Sequence, residues 1–209
     1  LLSVAYKHAV GVRRIAWRAA KKALKTAKFA PFVSHMDSYV KTLEEECVDL
    51  CKDFLQLINK HLYPHAKKNK NTEAMVYFLK VQGDYFRYVA EVSTGERHEK
   101  GIERCLKQYN EGIELAEQLQ PGDPTRLSIQ LNFSIFCFEC LDEQDQAIEM
   151  ANQAIEEAEE HMDTVDKSKQ SESATVLQFL RENVTQWKQK MNDAALDEGY
   201  GENSKRNLF

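Results

Sequence analysis

The stretch Met36–Tyr63, MDSYVKTLEEECVDLCKDFLQLINKHLY, decides the fold class. Its apolar residues Leu43, Cys47, Leu50, Cys51, Phe54, Leu57, Ile58 and Leu62 recur at steps of three and four. That spacing lines one face of an α-helix, and Pro64, which has no N–H to continue the ladder, predicts its end. The same reading covers nearly the whole chain. A first helix is expected over residues 1–27, broken near Pro31, and the polar run HAKKNKN (65–71) reads as a loop. Thr72 is expected to cap a third helix to about Val92, and Gly95 separates it from a fourth that reaches about Leu119. In PGDPT (121–125), Asp123 should cap and Pro124 open a fifth helix ending near Leu141. Asp142 and Asp145 start a sixth to about Met162, DKSKQSES (166–173) reads as a loop, and a seventh helix ends near Lys190. No strand pattern competes. Short connections favour antiparallel neighbours. The expected architecture is all-α: an antiparallel array of about seven helices with tetratricopeptide-like stacking and a concave groove, although no clear repeat period is present.

Composition agrees with long helices. Of 209 residues, 43% are hydrophobic and only 8 are Gly and 4 Pro, so a core can be buried and breakers are scarce. No run of about 18 apolar residues encodes a membrane span, and no secretory signal pattern opens the chain. Five cysteines, an odd number in a chain of this size, point to a reducing compartment with free, mostly buried thiols. The sequence opens on Leu1 inside an apolar periodic run, with neither Met nor a capping residue, and reads as a chain whose beginning is missing. Its net charge of −5 is unevenly spread. Residues 1–36 hold 8 basic side chains and no acid, which leaves 20 basic against 33 acidic residues in the remainder. A basic arm on an acidic body suits nucleic acid or a smaller anion.

Two charged stripes carry the functional signal. In GDYFRYVAEVSTGE (83–96), Asp84, Arg87, Tyr88 and Glu91 stand at offsets that keep them on adjacent faces of one helix, and Lys80 extends the row. Lys7, Arg14 and Arg18 fall within a narrow stripe on the first helix. Helices with matched stripes can face each other across a groove. Arginine forks, a lysine and a phenol together suit a dianionic tetrahedral oxyanion, because each guanidinium bonds two oxygens at once. Internal salt bridging explains the same spacing and stands as the competing reading.

The segments LLSVAYKHAVGVRRIAWR, FLKVQGDYFRYVAEVSTGE, LNFSIFCFE and LQFLRENVTQW, in this order, resemble the 14-3-3 family from Leu1 to the tail. The resemblance implies an all-α adaptor, not an enzyme, that binds Ser/Thr-phosphorylated proteins or peptides without a cofactor or metal. By it, Lys7, Arg14, Arg87 and Tyr88 match the phosphate-contacting set. Arg18, Asp84 and Glu91 match the supporting charges, and Lys80 lines the same groove. Asn132 and Asn183 match asparagines that hold the peptide backbone. Leu131, Ile135, Val176 and Phe179 would form an apolar wall, with Glu139 and Trp187 nearby. One domain over 1–190 and a flexible tail over 191–209 follow, as does a cytoplasmic location extending to the nucleus. The family forms homo- or heterodimers through two leading helices that are not seen ahead of LLSVAYK. This chain is therefore expected to be monomeric, weakly associated, or paired in a non-family way through its remaining helices, with Leu2, Ala9 and Ile15 partly uncovered. Ala16 stands where many members carry a phosphorylatable serine. Thr175 and Gln186 stand where leucines are usual, Gln82 replaces a lysine, and Cys137 and Phe138 replace tyrosines.

Rival signals are weaker. Cys137 and Cys140 have redox or metal spacing but no second pair, and Cys47 and Cys51 share a helix face as core thiols. His61 and His65 flank Pro64 with no third ligand near. No Gly-rich phosphate loop or nucleophile elbow is present. The acidic body would repel a nucleic acid drawn to the basic arm. A helical scaffold that binds partners independently of phosphorylation remains the alternative function.

Overall fold

The computed structural model describes residues 1–26 and 32–206, with side chains described as far as residue 194. Among these residues the secondary structure is helical throughout, in two compact units, Leu1–Leu115 and Ala116–Phe209.

The first unit holds α1 (Leu2–Leu24), α2 (Val33–Leu57), α3 (Tyr63–Lys68), α4 (Thr72–Glu91) and α5 (Glu96–Ala116). α1 and α2 are antiparallel: Tyr6 stacks on Phe54 at 4.6 Å, Arg13 pairs with Glu46 at 2.8 Å, and Trp17 donates to Glu44 at 2.9 Å. The periodic residues of α2 do what their spacing predicts. Cys47, Cys51, Phe54 and Ile58 are buried with Val10 of α1 and with Val81 and Tyr85 of α4 in one core. Outward from that core, Leu2 and Ile15 are exposed and Ala9 is half-buried, so all three are at least partly uncovered, as expected.

Pro64 does not end the second helix. Between α2 and α3 the chain takes one wide turn, Ile58–Leu62, in which the Tyr63 N–H reaches the Ile58 carbonyl five residues back. The rod then continues through Pro64, which sits in the first turn of α3, where no N–H is needed. His65–Lys68 are therefore helical, and the expected loop shrinks to Asn69–Asn71, with Lys70 at φ 51°. Asn71, not Thr72, caps α4, its side chain accepting from the Ala74 N–H at 2.9 Å. The expected break at Pro31 lies outside the described residues.

The second unit comprises α6 (Pro124–Cys140), α7 (Gln144–His161) and α8 (Lys167–Arg206). Asp123 caps α6 through the Thr125 N–H at 2.8 Å and Pro124 opens it, as the turn chemistry predicts. Asp142 is not a cap: it bends the chain at φ 59°, a left-handed conformation that Asp tolerates, and α7 begins two residues later. DKSKQSES is helical rather than a loop, because the Asp166 carboxylate accepts from both the Ser168 N–H and its hydroxyl at 2.8 Å and starts α8 there. Ser173 then buries its hydroxyl by donating to the Lys169 carbonyl. α8 also passes Lys190, through a proline-free segment with Ala194, Ala195 and Leu196. With α2 and α3 taken as one rod, the described residues form seven helices.

Candidate functional site

α1 and α4 run in the same direction in the first unit, and their polar stripes meet. Ser3 accepts from the Tyr77 hydroxyl at 2.8 Å at one end. At the other end Glu91 joins the helices, its two carboxylate oxygens accepting from Arg14 at 2.6 Å and from Arg18 at 2.5 Å. The Arg14 guanidinium lies 3.8 Å from the centre of the Tyr88 ring, and that of Arg87 lies 5.2 Å from the same ring. Two guanidiniums thus converge on one phenol, each held by charge or stacking rather than left to wander.

Asp84 organises the other half. Its carboxylate accepts from Lys80 at 3.2 Å and from the buried Tyr109 hydroxyl at 2.6 Å, and lies 4.0 Å from Arg87. Burial alone would push the Arg87 guanidinium down, but Tyr109, Asp84 and Tyr88 outweigh it and hold it above its ordinary value. Burial, with Asp84 beside it, pushes the Tyr88 phenol up, so it remains a hydrogen-bond donor at neutral pH. Lys7 is exposed and makes no ion pair among the described residues.

Both readings of the stripes are therefore physically present. The internal ion pairs exist, yet Lys7, Arg14, Arg18, Lys80 and Arg87 face only Asp84 and Glu91 within the set, an excess of three positive charges. Salt bridging orders the cations without neutralising them. Of the eight charged and phenolic residues singled out from the sequence, Lys7 alone makes no ion pair or ring contact among the described residues, while the other seven are held by such contacts. Tyr109 escaped the sequence reading: it lies 25 residues from Asp84 on another helix. The hint to it is Gly83, mid-helix, where a Cβ would stand 2.7 Å from the Tyr109 ring.

In the second unit, Leu131, Asn132 and Ile135 are half-buried on α6, and Glu139 is exposed near its end. On α8, Val176 and Trp187 are buried, Asn183 is half-buried and Phe179 is 50% exposed. Trp187 stacks on Phe138 of α6 with ring centres 4.6 Å apart, fixing α8 beside α6. Thr175 and Gln186 are exposed, and the Thr175 hydroxyl donates to the Ser171 carbonyl of its own helix at 2.9 Å. Among the cysteines, Cys47 and Cys51 are fully buried, and Cys137, also buried, has its thiol pushed up to about 11 by desolvation.

A sequence model of the 14-3-3 protein family matches residues 1–188. The chain belongs to the 14-3-3 family. It is 39% identical over 189 residues to 14-3-3 protein homolog 2 of Schistosoma mansoni, covering 90% of this chain and 87% of that one. It is equally similar, 39% over 189 residues, to 14-3-3 protein zeta of Bombyx mori, covering 90% and 75%. Similarity to 14-3-3 protein beta/alpha of Bos taurus is 37% over 205 residues, covering 97% and 82%. 14-3-3 proteins are adaptors rather than enzymes, and membership supports a general phosphopeptide-binding adaptor role and, by family, dimerisation. No helix among the described residues is long and apolar enough to cross a membrane.

Proposed function

We propose that this 14-3-3 chain binds phosphoserine- or phosphothreonine-containing segments of partner proteins and regulates those partners through an amphipathic groove. Lys7, Arg14, Arg87 and Tyr88 take the phosphate, while Asp84, Glu91, Arg18 and Lys80 keep them extended. Asn132 and Asn183 hold the peptide backbone, and Leu131, Ile135, Val176 and Phe179 supply the apolar wall beside Glu139 and Trp187. The observation that carries this reading is the ordered excess of positive charge where α1 meets α4: two guanidiniums converge on the Tyr88 ring at 3.8 and 5.2 Å. A phosphate dianion compensates such a set and uses the bidentate geometry of arginine. Five free cysteines support a reducing compartment, the cytoplasm with the nucleus.

Arg14→Ala and Arg87→Ala should each weaken phosphopeptide binding by roughly 2–4 kcal/mol, because the phosphate loses a charge-assisted pair inside a formed site. Fluorescence anisotropy with a labelled phosphopeptide measures this, and full affinity in both variants removes the assignment. A second reading, a scaffold indifferent to phosphorylation, is favoured by one observation: Glu91 already engages both Arg14 and Arg18.

A further inference from the structure

A second concave site lies on the other side of α4. At about 100° per residue, Phe86 and Val89 point roughly opposite to the Asp84–Glu91 stripe. With residues of α2 and α5 they line a cavity of about 420 Å³, entirely within the first unit. Its floor is apolar: Val48 and Leu55 of α2 are buried, and Phe86 and Val89 are half-buried. α5 closes tightly on α4 beside it, since a Cβ on Gly101 would stand 2.9 Å from the Ala90 side chain.

The rim is cationic. Arg97, Lys100 and Arg104 of α5 and Lys52 of α2 surround the floor, with Glu96 as the one acid among the lining residues. Lys100 pairs with Glu96 at 2.5 Å and Lys52 meets Asp49 at 3.5 Å. Arg97 and Arg104 make no ion pair among the described residues, and the Arg104 guanidinium leans over the floor, 5.7 Å from the Phe86 ring centre. An apolar floor beneath unneutralised guanidiniums is complementary to a segment that is itself apolar and acidic. Arg97 and Arg104 are seven residues apart on one helical stripe, about 10.5 Å along the axis. Carboxylates four residues apart on an extended chain share one face and stand about 13 Å apart, within reach of two long arginine side chains, and the large apolar side chain midway between them points to the same floor. A polyanion such as nucleic acid fits poorly, because residues beyond 36 carry 33 acids against 20 bases.

We propose that this cavity is a docking site for an unphosphorylated acidic peptide segment carrying a large apolar side chain, separate from the phosphate site and independent of it. The test is fluorescence anisotropy with a labelled ten-residue peptide holding two Glu on each side of a Leu-Phe pair. Wild-type protein should bind it saturably in the micromolar range, and Arg97→Glu with Arg104→Glu should weaken binding roughly tenfold or more, as expected when two exposed charge pairs are reversed. Arg14→Ala should leave it within about twofold, because that residue lies on the other side of α4. Replacing the peptide's Glu by Gln should abolish binding to wild-type protein, which tests the charge requirement without altering the fold. No saturable binding, equal binding by the charge-reversed variant, or loss in Arg14→Ala, which would put the peptide in the phosphate site, each overturns the proposal.

Discussion

Gly83→Ala sets two effects of opposite sign against each other. Alanine in a helix interior is favoured over glycine by about 1 kcal/mol, so propensity alone predicts a more stable protein. The structure predicts the reverse. A Cβ at position 83 would stand 2.7, 2.8 and 2.9 Å from three atoms of the Tyr109 ring, closer than carbon atoms approach without displacement. Tyr109 is fully buried, so relieving this contact means overpacking, at about 1–3 kcal/mol. Moving the ring also pulls the Tyr109 hydroxyl from Asp84, now at 2.6 Å, and a lost bond to a buried carboxylate costs about 1.5–3 kcal/mol. The net expectation is destabilisation by roughly 2–4 kcal/mol. Urea unfolding followed by far-ultraviolet circular dichroism reads it as a lower midpoint at unchanged slope. Adding Tyr109→Leu to Gly83→Ala should recover part of the loss, although Tyr109→Leu alone destabilises. A Gly83→Ala midpoint at or above that of the unsubstituted protein would refute the close packing of α5 on α4 and the support it lends Asp84.

The wall of the second unit should tune partner choice more than affinity. Because the Thr175 hydroxyl is taken up by Ser171, Gln186 supplies most of the polarity, and Gln186→Leu should move peptide-array preference toward large apolar flanking residues more than Thr175→Leu does. An array unchanged by Gln186→Leu would count against that role. Alkaline pH should destabilise the first unit. Burial raises the Tyr88 and Tyr109 phenols above their ordinary 10, so folding retains protons that the unfolded chain gives up. That contribution is fully present below about pH 10 and is lost as pH rises beyond it, so the urea midpoint should fall as pH rises above about 10, less steeply in Tyr109→Phe.

What could be read from the sequence was whatever repeats along a single helix. The α2 core positions and the Asp84–Arg87–Tyr88–Glu91 row were visible because 3.6-residue periodicity writes a face into one dimension. The meeting of α1 with α4 followed from matched stripes on both helices. What depends on neighbours was not visible. Pro64 looks like a stop unless a wide turn ahead of it re-registers the backbone, and that turn is held by packing of Ile58 in the core. Asn71 and Thr72 are both good caps on propensity, and only backbone geometry chooses Asn71. The serine-rich start of α8 reads as a loop until Asp166 is seen to cap it and Ser173 to bury its hydroxyl against Lys169. Tyr109 carries no local sign of its bond to Asp84. The cavity below Phe86 draws on three helices, each contributing a stripe that is unremarkable alone.

Phosphate recognition by the groove is decided with one pair of ligands: a single labelled peptide prepared with serine and with phosphoserine, titrated by fluorescence anisotropy at fixed ionic strength. Micromolar or tighter binding of the phosphorylated form, about −8 kcal/mol, is expected, with binding weaker by roughly a hundredfold or more for the unphosphorylated form. Equal affinity for the two would contradict it, and would mean that the cations where α1 meets α4 serve only their own ion pairs.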